Sequence, residues 1–161
     1  MVNLKAKPFY LSDEDIKWVN DVYYKGKKVC GILTESAFDQ SGKLSYVIVG
    51  IGVNLYPPRG GFPSPIENIA GSLFETPLKS ARSRLAAGIL ERFFAYYTHF
   101  HDKAYIEPYK KRSFLTGRMV EVLRGDTQYP AKVLGIEDDL SLLVELSDGT
   151  VQALASGEVS I

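Results

Sequence analysis

Polar residues stand where a strand pattern calls for apolar ones at three places in the first 55 residues. Lys17, Asn20 and Asp21 bracket a Trp-Val pair, Lys27 and Lys28 abut the apolar run 29–33, and Asn54 closes a Val- and Ile-rich stretch that also holds Gly50 and Gly52. Taken singly, each has an ordinary structural reading: strand-edge lysines, an Asn-Asp turn, an amide at a strand end. Taken together they collect ammonium, carboxylate and amide groups, which hold charge, accept protons and pair with polar ligands. The twin glycines are a second signal. Spaced by two, they share one face of a strand. A strand interior gives up a side chain where a helix packs close or where a ligand approaches the backbone, and both readings are open here.

Other chemistries are missing from the text. There is no GxxxxGK[ST] phosphate loop, no GxSxG elbow and no HExxH, and Gly50-Ile51-Gly52 lacks the third glycine of a dinucleotide loop. Cys30 is the single cysteine, so no intrachain disulfide forms. His99 and His101 follow an aromatic stretch at the end of a helical pattern, where a histidine more often meets the last carbonyls than a metal; they read as structural. With 19 Lys+Arg against 19 Asp+Glu, no global charge draws the chain to nucleic acid or an anionic membrane. The longest nearly uncharged run, 46–56, is about half of what spans a bilayer. The first ten residues lack the apolar core of a secretory signal, and the expected setting is a reducing cytoplasm.

The elements that must position these residues are legible in outline. Short apolar runs separated by turn signals make the first fifty residues a sheet, with a hairpin turn at Lys25-Gly26. Residues 44–55 read as a strand buried on both faces in the middle of that sheet. Residues 56–65 hold four prolines and two glycines and form a loop. Leu85, Ile89, Phe93 and Tyr97 repeat every four residues and predict the main helix over 79–100. Asp102 is expected to cap a second helix running toward Phe114, bent or restarted at Pro108 and ended by Gly117. From Arg118 on, turn signals at Gly125-Asp126, Asp138-Asp139 and Asp148-Gly149 punctuate short strands of a small barrel that leans on the preceding domain.

The ordered set KWVNDV (17–22), KKVCGIL (27–33) and GIGVNL (50–55) resembles biotin protein ligase, whose pattern is KWPNDV, then KxxGIL, then GIGxN. LLVELSDG (142–149) and GEVS (157–160) are similar to the family's C-terminal barrel of Src-homology-3 type. The resemblance implies an α+β fold: residues 1–116 as the C-terminal half of a class II aminoacyl-synthetase-like catalytic domain, a truncated mixed sheet with helices, and residues 117–161 as the small β barrel. It implies ATP-dependent formation of biotinyl-adenylate and transfer of biotin to a lysine of a carrier domain, as in acetyl-CoA carboxylase. Carried over by motif, Lys28 is the fixed cation beside carbonyl and phosphate, and Asp21 orients and deprotonates the incoming amine. Gly31, Leu33, Gly50 and Gly52, with Lys28, line biotin. Lys17, Asn20, Asn54 and Glu158 meet the nucleotide. Biotin, ATP and Mg2+ are the implied cofactors, with the metal ligands unassigned.

Three departures from the family pattern matter. No GRGRxG loop precedes KWVND, nor do the upstream strands with a Ser-Thr-Asn segment and a Gln that contact biotin. Val19 stands where the family has proline. The text stops just after GEVS, where many members continue to an arginine. These departures predict little unaided catalysis, no DNA-binding domain within these residues, and a sheet edge that pairs with a complementing chain or a second copy. A non-catalytic binding fragment is the alternative reading. A lipoate ligase relative fits less well, because KWVND and the small barrel favour biotin. Nucleic-acid binding by the barrel fits least, for want of a basic patch with exposed aromatics.

Overall fold

The computed structural model describes residues 14–161; the reading of the first ten residues lies outside them. Strands β1 (Glu14–Lys17), β2 (Asp21–Tyr24), β3 (Lys27–Phe38) and β4 (Leu44–Val53) form one sheet in that order, each antiparallel to the next. Lys25 and Gly26 turn the β2–β3 hairpin with φ of 50° and 74°, the left-handed pair that a two-residue turn of this hand requires. At the β3–β4 turn Asp39 Oδ1 accepts from the Ser41 hydroxyl at 2.6 Å, the Ser41 amide at 2.8 Å and the Lys43 amide at 3.0 Å. Those bonds, the hydroxyl's first, hold its carboxyl below the usual carboxylate range. Isolated parallel bridges join Ile16 to Ser113 and Lys28 to Ala70.

The expectation for residues 44–55 needs correcting. They form a strand, but β4 is the sheet's edge: among the described residues no strand pairs with its outer side, and residues 44–52 are exposed. A run of Val and Ile dictates an extended backbone. Whether its two faces are covered depends on elements elsewhere in the fold, which a run of apolar residues does not specify.

Helix α1 (Ala81–Thr98) follows the predicted period. Leu85 and Ile89 are half-buried beside β4, while Phe93 and Tyr97 stack on each other at 5.7 Å on an exposed stretch. A single 3-10 turn (Phe100–Asp102) precedes α2 (Ile106–Arg112). Asp102 is therefore not the cap of α2; Tyr105 holds that place, and Asp102 instead lies 3.5 Å from His99 Nδ1. Pro108 sits in the first turn of α2, where its missing N–H costs no intrahelical bond, so the helix is neither bent nor restarted. It stops at Arg112 rather than near Phe114, after a last turn of Lys110, Lys111 and Arg112 that suits the negative end of the helix. Gly117 then takes φ of 83°.

Strands β5 (Met119–Arg124), β6 (Thr127–Ile136), β7 (Leu142–Leu146), β8 (Val151–Leu154) and β9 (Glu158–Ser160) make the second sheet, ordered β8-β7-β6-β5-β9. Alternation decides its inside: Val120, Val122, Ala131, Val133, Leu142, Val144, Leu154 and Val159 are all buried. Asp139 and Asp148 each accept an amide two residues on, at 2.9 Å, and close their turns.

So small a barrel needs help with its core, and the help comes from the first sheet. Trp18, in the loop between β1 and β2, is 3% exposed inside the barrel cluster, and its indole N–H donates to the Leu140 carbonyl at 2.9 Å. Phe114 meets Tyr23 edge-on at 5.2 Å, and the Tyr109 hydroxyl donates to the Val19 carbonyl at 3.0 Å. The loop 18–20 is thus held by the barrel on one side and by α2 on the other.

Burial pushes the Tyr109 phenol up to about 12 from an ordinary 10.0. A group raised in the folded state contributes stability that is complete below its unfolded value and lost as pH rises through the folded one, here between 10.0 and about 12. Spectrophotometric titration should show a phenol ionising near the top of that window, and Tyr109→Phe should remove it. Ionisation of Tyr109 with the exposed tyrosines would contradict its packing against the 18–20 loop.

Candidate functional site

The register places residues from all three motifs in one line. Lys17 pairs with Asp21, Asp21 with Gly31, and Gly31 with Gly52, so a single cross-strand row crosses β1, β2, β3 and β4 on one face. Leu33 pairs with Gly50 two residues along, on the same face. The row forms because only three residues, 18–20, separate β1 from β2, which puts the two ends of KWVND opposite each other.

Strict alternation would turn Lys28 away from Gly31, three residues on. A bulge prevents this: Tyr23 pairs with Lys28 and Val22 with Cys30, leaving Val29 as the extra residue. Bulges re-aim side chains, and Val29 is itself buried at 2% exposure. The Lys28 chain therefore lies over Gly31, where an added Cβ would sit 3.5 Å from Lys28 Cε, 3.6 Å from its Nζ and 3.5 Å from Asp21 Oδ1. Lys28 Nζ and Asp21 Oδ1 are 2.6 Å apart, the ammonium side chain 39% and the carboxylate 15% exposed. The pair's neighbours register it. Burial first and then the Asp21 charge push the Tyr23 phenol and the Cys30 thiol up, with Lys28 opposing.

The twin glycines are open. A Cβ on Gly50 would meet only the Leu33 carbonyl at 3.7 Å, and one on Gly52 only the Gly31 carbonyl at 3.8 Å. Both contacts come from the paired strand, so among the described residues no helix packs against these glycines and close helix packing does not account for them. The surface is a shallow floor of backbone with an ammonium–carboxylate pair at one side.

Asn54 follows β4. Its amide donates to the Val29 carbonyl at 2.8 Å, and it borders a groove of about 690 Å³ between β4 and α1, lined among others by Ile51, Val53, Leu85 and Ile89. That groove lies on the face of β4 opposite the glycines. The Asn20 amide is engaged within the sheet: its Nδ2 donates to the Ile32 carbonyl at 2.5 Å while the Ile32 N–H donates back to the Asn20 carbonyl at 2.9 Å. Asn20 thereby clasps the loop to β3. Glu158 is exposed on the barrel's edge strand β9, paired across to Leu123, and is not part of the row. Among the described residues no group of three or more His, Cys, Asp and Glu side chains comes together to hold a metal ion, and no helix is long and apolar enough to cross a membrane.

Residues 66–74 are a part of the site that the sequence reading passes over. They run alongside the start of β3 and the segment just after β4, bonding to Lys28 on one side and to Asn54 and Leu55 on the other. Apart from Gly71 they carry no motif that distinguishes them from connector.

Residues 10–54 match the Biotin/lipoate A/B protein ligase family and residues 115–161 the Biotin protein ligase C terminal domain. The bifunctional ligase/repressor BirA of Bacillus subtilis is 32% identical over 154 residues, and that of Escherichia coli 27% over 149; each alignment covers 91% of this chain and 46% of the relative. The chain spans about half the length of these relatives. A biotin protein ligase from Aquifex aeolicus, solved in complex with biotin and ATP, superposes with a TM-score of 0.69 at 26% identity, covering 91% of this chain and 61% of the other. A second structure of that protein gives 0.71, with 64% of it covered.

Proposed function

Because this chain belongs to the biotin protein ligase family, we propose that its glycine-floored face is half of a site for biotin and its adenylate. The observation that carries the reading is the row Lys17, Asp21, Gly31, Gly52 with the Lys28 ammonium over it. Biotin lies along Gly31, Leu33, Gly50 and Gly52, where the absence of side chains lets a ligand reach the backbone. The nucleotide extends toward Lys17 and Asn54. Asn20 shapes the loop beside it, and Glu158 approaches only through the barrel. Residues 1–116 and 117–161 act as the catalytic half-domain and the barrel.

In the first step a biotin carboxylate oxygen attacks the α-phosphorus of ATP and pyrophosphate leaves. In the second, the neutral amine of a carrier-domain lysine attacks the carbonyl carbon, and AMP leaves. The Lys28 ammonium opposes the charge that builds on phosphate and carbonyl oxygens. To do so it exchanges Asp21 for the ligand, which frees the Asp21 carboxylate to accept a proton from the incoming amine. Magnesium accompanying the nucleotide would supply further neutralisation of phosphate charge.

A second reading, that the chain works by complementing a separate polypeptide, is favoured by its surface. Among the described residues, large apolar side chains stand exposed on β4 and α1, including Val47, Ile48, Val49, Phe93 and Phe94, and exposed apolar surface of that kind invites a covering partner. The experiment is to mix the chain with a carrier domain, biotin, ATP and magnesium, with and without an upstream half bearing the GRGRxG loop. Biotin transfer only in the mixture supports complementation; transfer by neither arrangement would count against ligase function.

Gly52→Val separates ligand from fold. A Cβ there meets nothing closer than 3.8 Å, and valine suits a strand, so thermal stability should hold or rise. Binding of a biotinyl-adenylate analogue should be lost, because the side chain stands on the floor the ligand needs. Unchanged binding would place the ligand elsewhere.

A further inference from the structure

We infer that Gly71 is a positioning residue for Lys28. This rests on the ligase reading of Lys28 and adds a residue to it. The segment 66–74 straps the two strand ends together. The Lys28 amide donates to the Ile69 carbonyl and the Gly71 amide donates to the Lys28 carbonyl, both at 2.8 Å, so Lys28 is held from both sides of its own peptide unit. Two residues on, the Leu73 amide donates to the Asn54 carbonyl at 3.0 Å, and the Phe74 amide to the Leu55 carbonyl at 3.0 Å. Lys27 Nζ donates to the Glu67 carbonyl at 2.9 Å. One strap thus fixes the residue proposed to carry the cation, on β3, and the residue proposed to meet the nucleotide, just past the end of β4.

Glycine is required at position 71 for space. A Cβ there would lie 2.5 Å from Lys27 Cβ, 3.3 Å from Lys27 Cγ and 3.6 Å from Val29 Cγ1. The first atom is fixed to the β3 backbone and cannot swing aside, so any other residue pushes the strap off the strand at the bulge that aims Lys28. Lys28 would then lose both backbone bonds while keeping its side chain.

The test is a cycle of Gly71→Ala, Lys27→Gly and the double variant, because removing the Lys27 side chain removes the atoms that an alanine at 71 would strike. Amide exchange followed by NMR reads the strap without any ligand. In Gly71→Ala the Lys28 amide should exchange at least about tenfold faster, the Val133 amide in the barrel should be unchanged, and the double variant should recover. Affinity for a biotinyl-adenylate analogue should fall roughly 10- to 100-fold in Gly71→Ala and return in the double variant. Wild-type exchange in Gly71→Ala, or a loss that Lys27→Gly does not rescue, would overturn the inference. Failure of the unaltered chain to bind the analogue would instead count against the ligase reading, and the exchange cycle would still decide the role of Gly71 in holding Lys28.

Discussion

Lys28→Ala is expected to weaken binding of a biotinyl-adenylate analogue by about 100-fold, equivalent to roughly 2.7 kcal/mol, the scale of one preorganised electrostatic contact in a partly desolvated site. The ammonium is placed for this by a bulge rather than by strand alternation, and it rests 2.6 Å from Asp21 until a ligand competes for it. Removal has a second consequence. The Asp21 carboxylate, 15% exposed, is left without its cation, so the variant should also be less stable, by about 1–3 kcal/mol. Lys28→Arg keeps the charge on a wider, planar head and should recover stability more fully than affinity. Equal analogue affinity in Lys28→Ala and the unaltered chain, measured by calorimetry, would remove Lys28 from the site.

Trp18→Ala should be the most damaging substitution to the fold. Trp18 is the sole tryptophan, 3% exposed, and fills the barrel from a loop of the other sheet. Truncating a buried aromatic to alanine costs about 3–5 kcal/mol, a large share of the 5–15 kcal/mol typical of a domain. The loss should spread to ligand binding, because the same loop ends at Asn20 and Asp21 and sets the register of Lys17 against Asp21. Trp18→Phe keeps most of the apolar volume but gives up the bond to the Leu140 carbonyl, and should cost about 1 kcal/mol or somewhat more. Denaturant unfolding followed by circular dichroism reads both. A Trp18→Ala midpoint equal to that of the unaltered chain would show that sheet and barrel do not share a core.

These two residues also show how far the sequence could be read. KWVND, KKVCGIL and GIGVNL already contain the row, because period-two alternation puts Gly31 with Leu33 and Gly50 with Gly52, and a short loop puts Lys17 opposite Asp21. Gly26 and Gly125 mark hairpins by glycine's freedom to take positive φ, while Lys25 is carried into the left-handed region by the turn itself. What sequence could not give depends on partners distant along the chain. The bulge at Val29 exists only in the pairing of β2 with β3, so the direction of Lys28 was not legible. Residues 44–52 look the same whether buried or at an edge. Trp18 reads as a motif residue, and its burial 122 positions away beside Leu140 is a tertiary fact. Asp102 is a good cap by type, yet a 3-10 turn uses it first. Gly71 carries a requirement visible only when Lys27 is seen against it.

Direct calorimetric titration of the unaltered chain with a stable biotinyl-adenylate analogue, with Gly52→Val alongside, decides whether the glycine-floored face is the ligand site. Micromolar binding that disappears in a normally folded Gly52→Val is the expected result. No binding by the unaltered chain, or undiminished binding by the variant, would contradict the assignment of the ligand to the glycine-floored face.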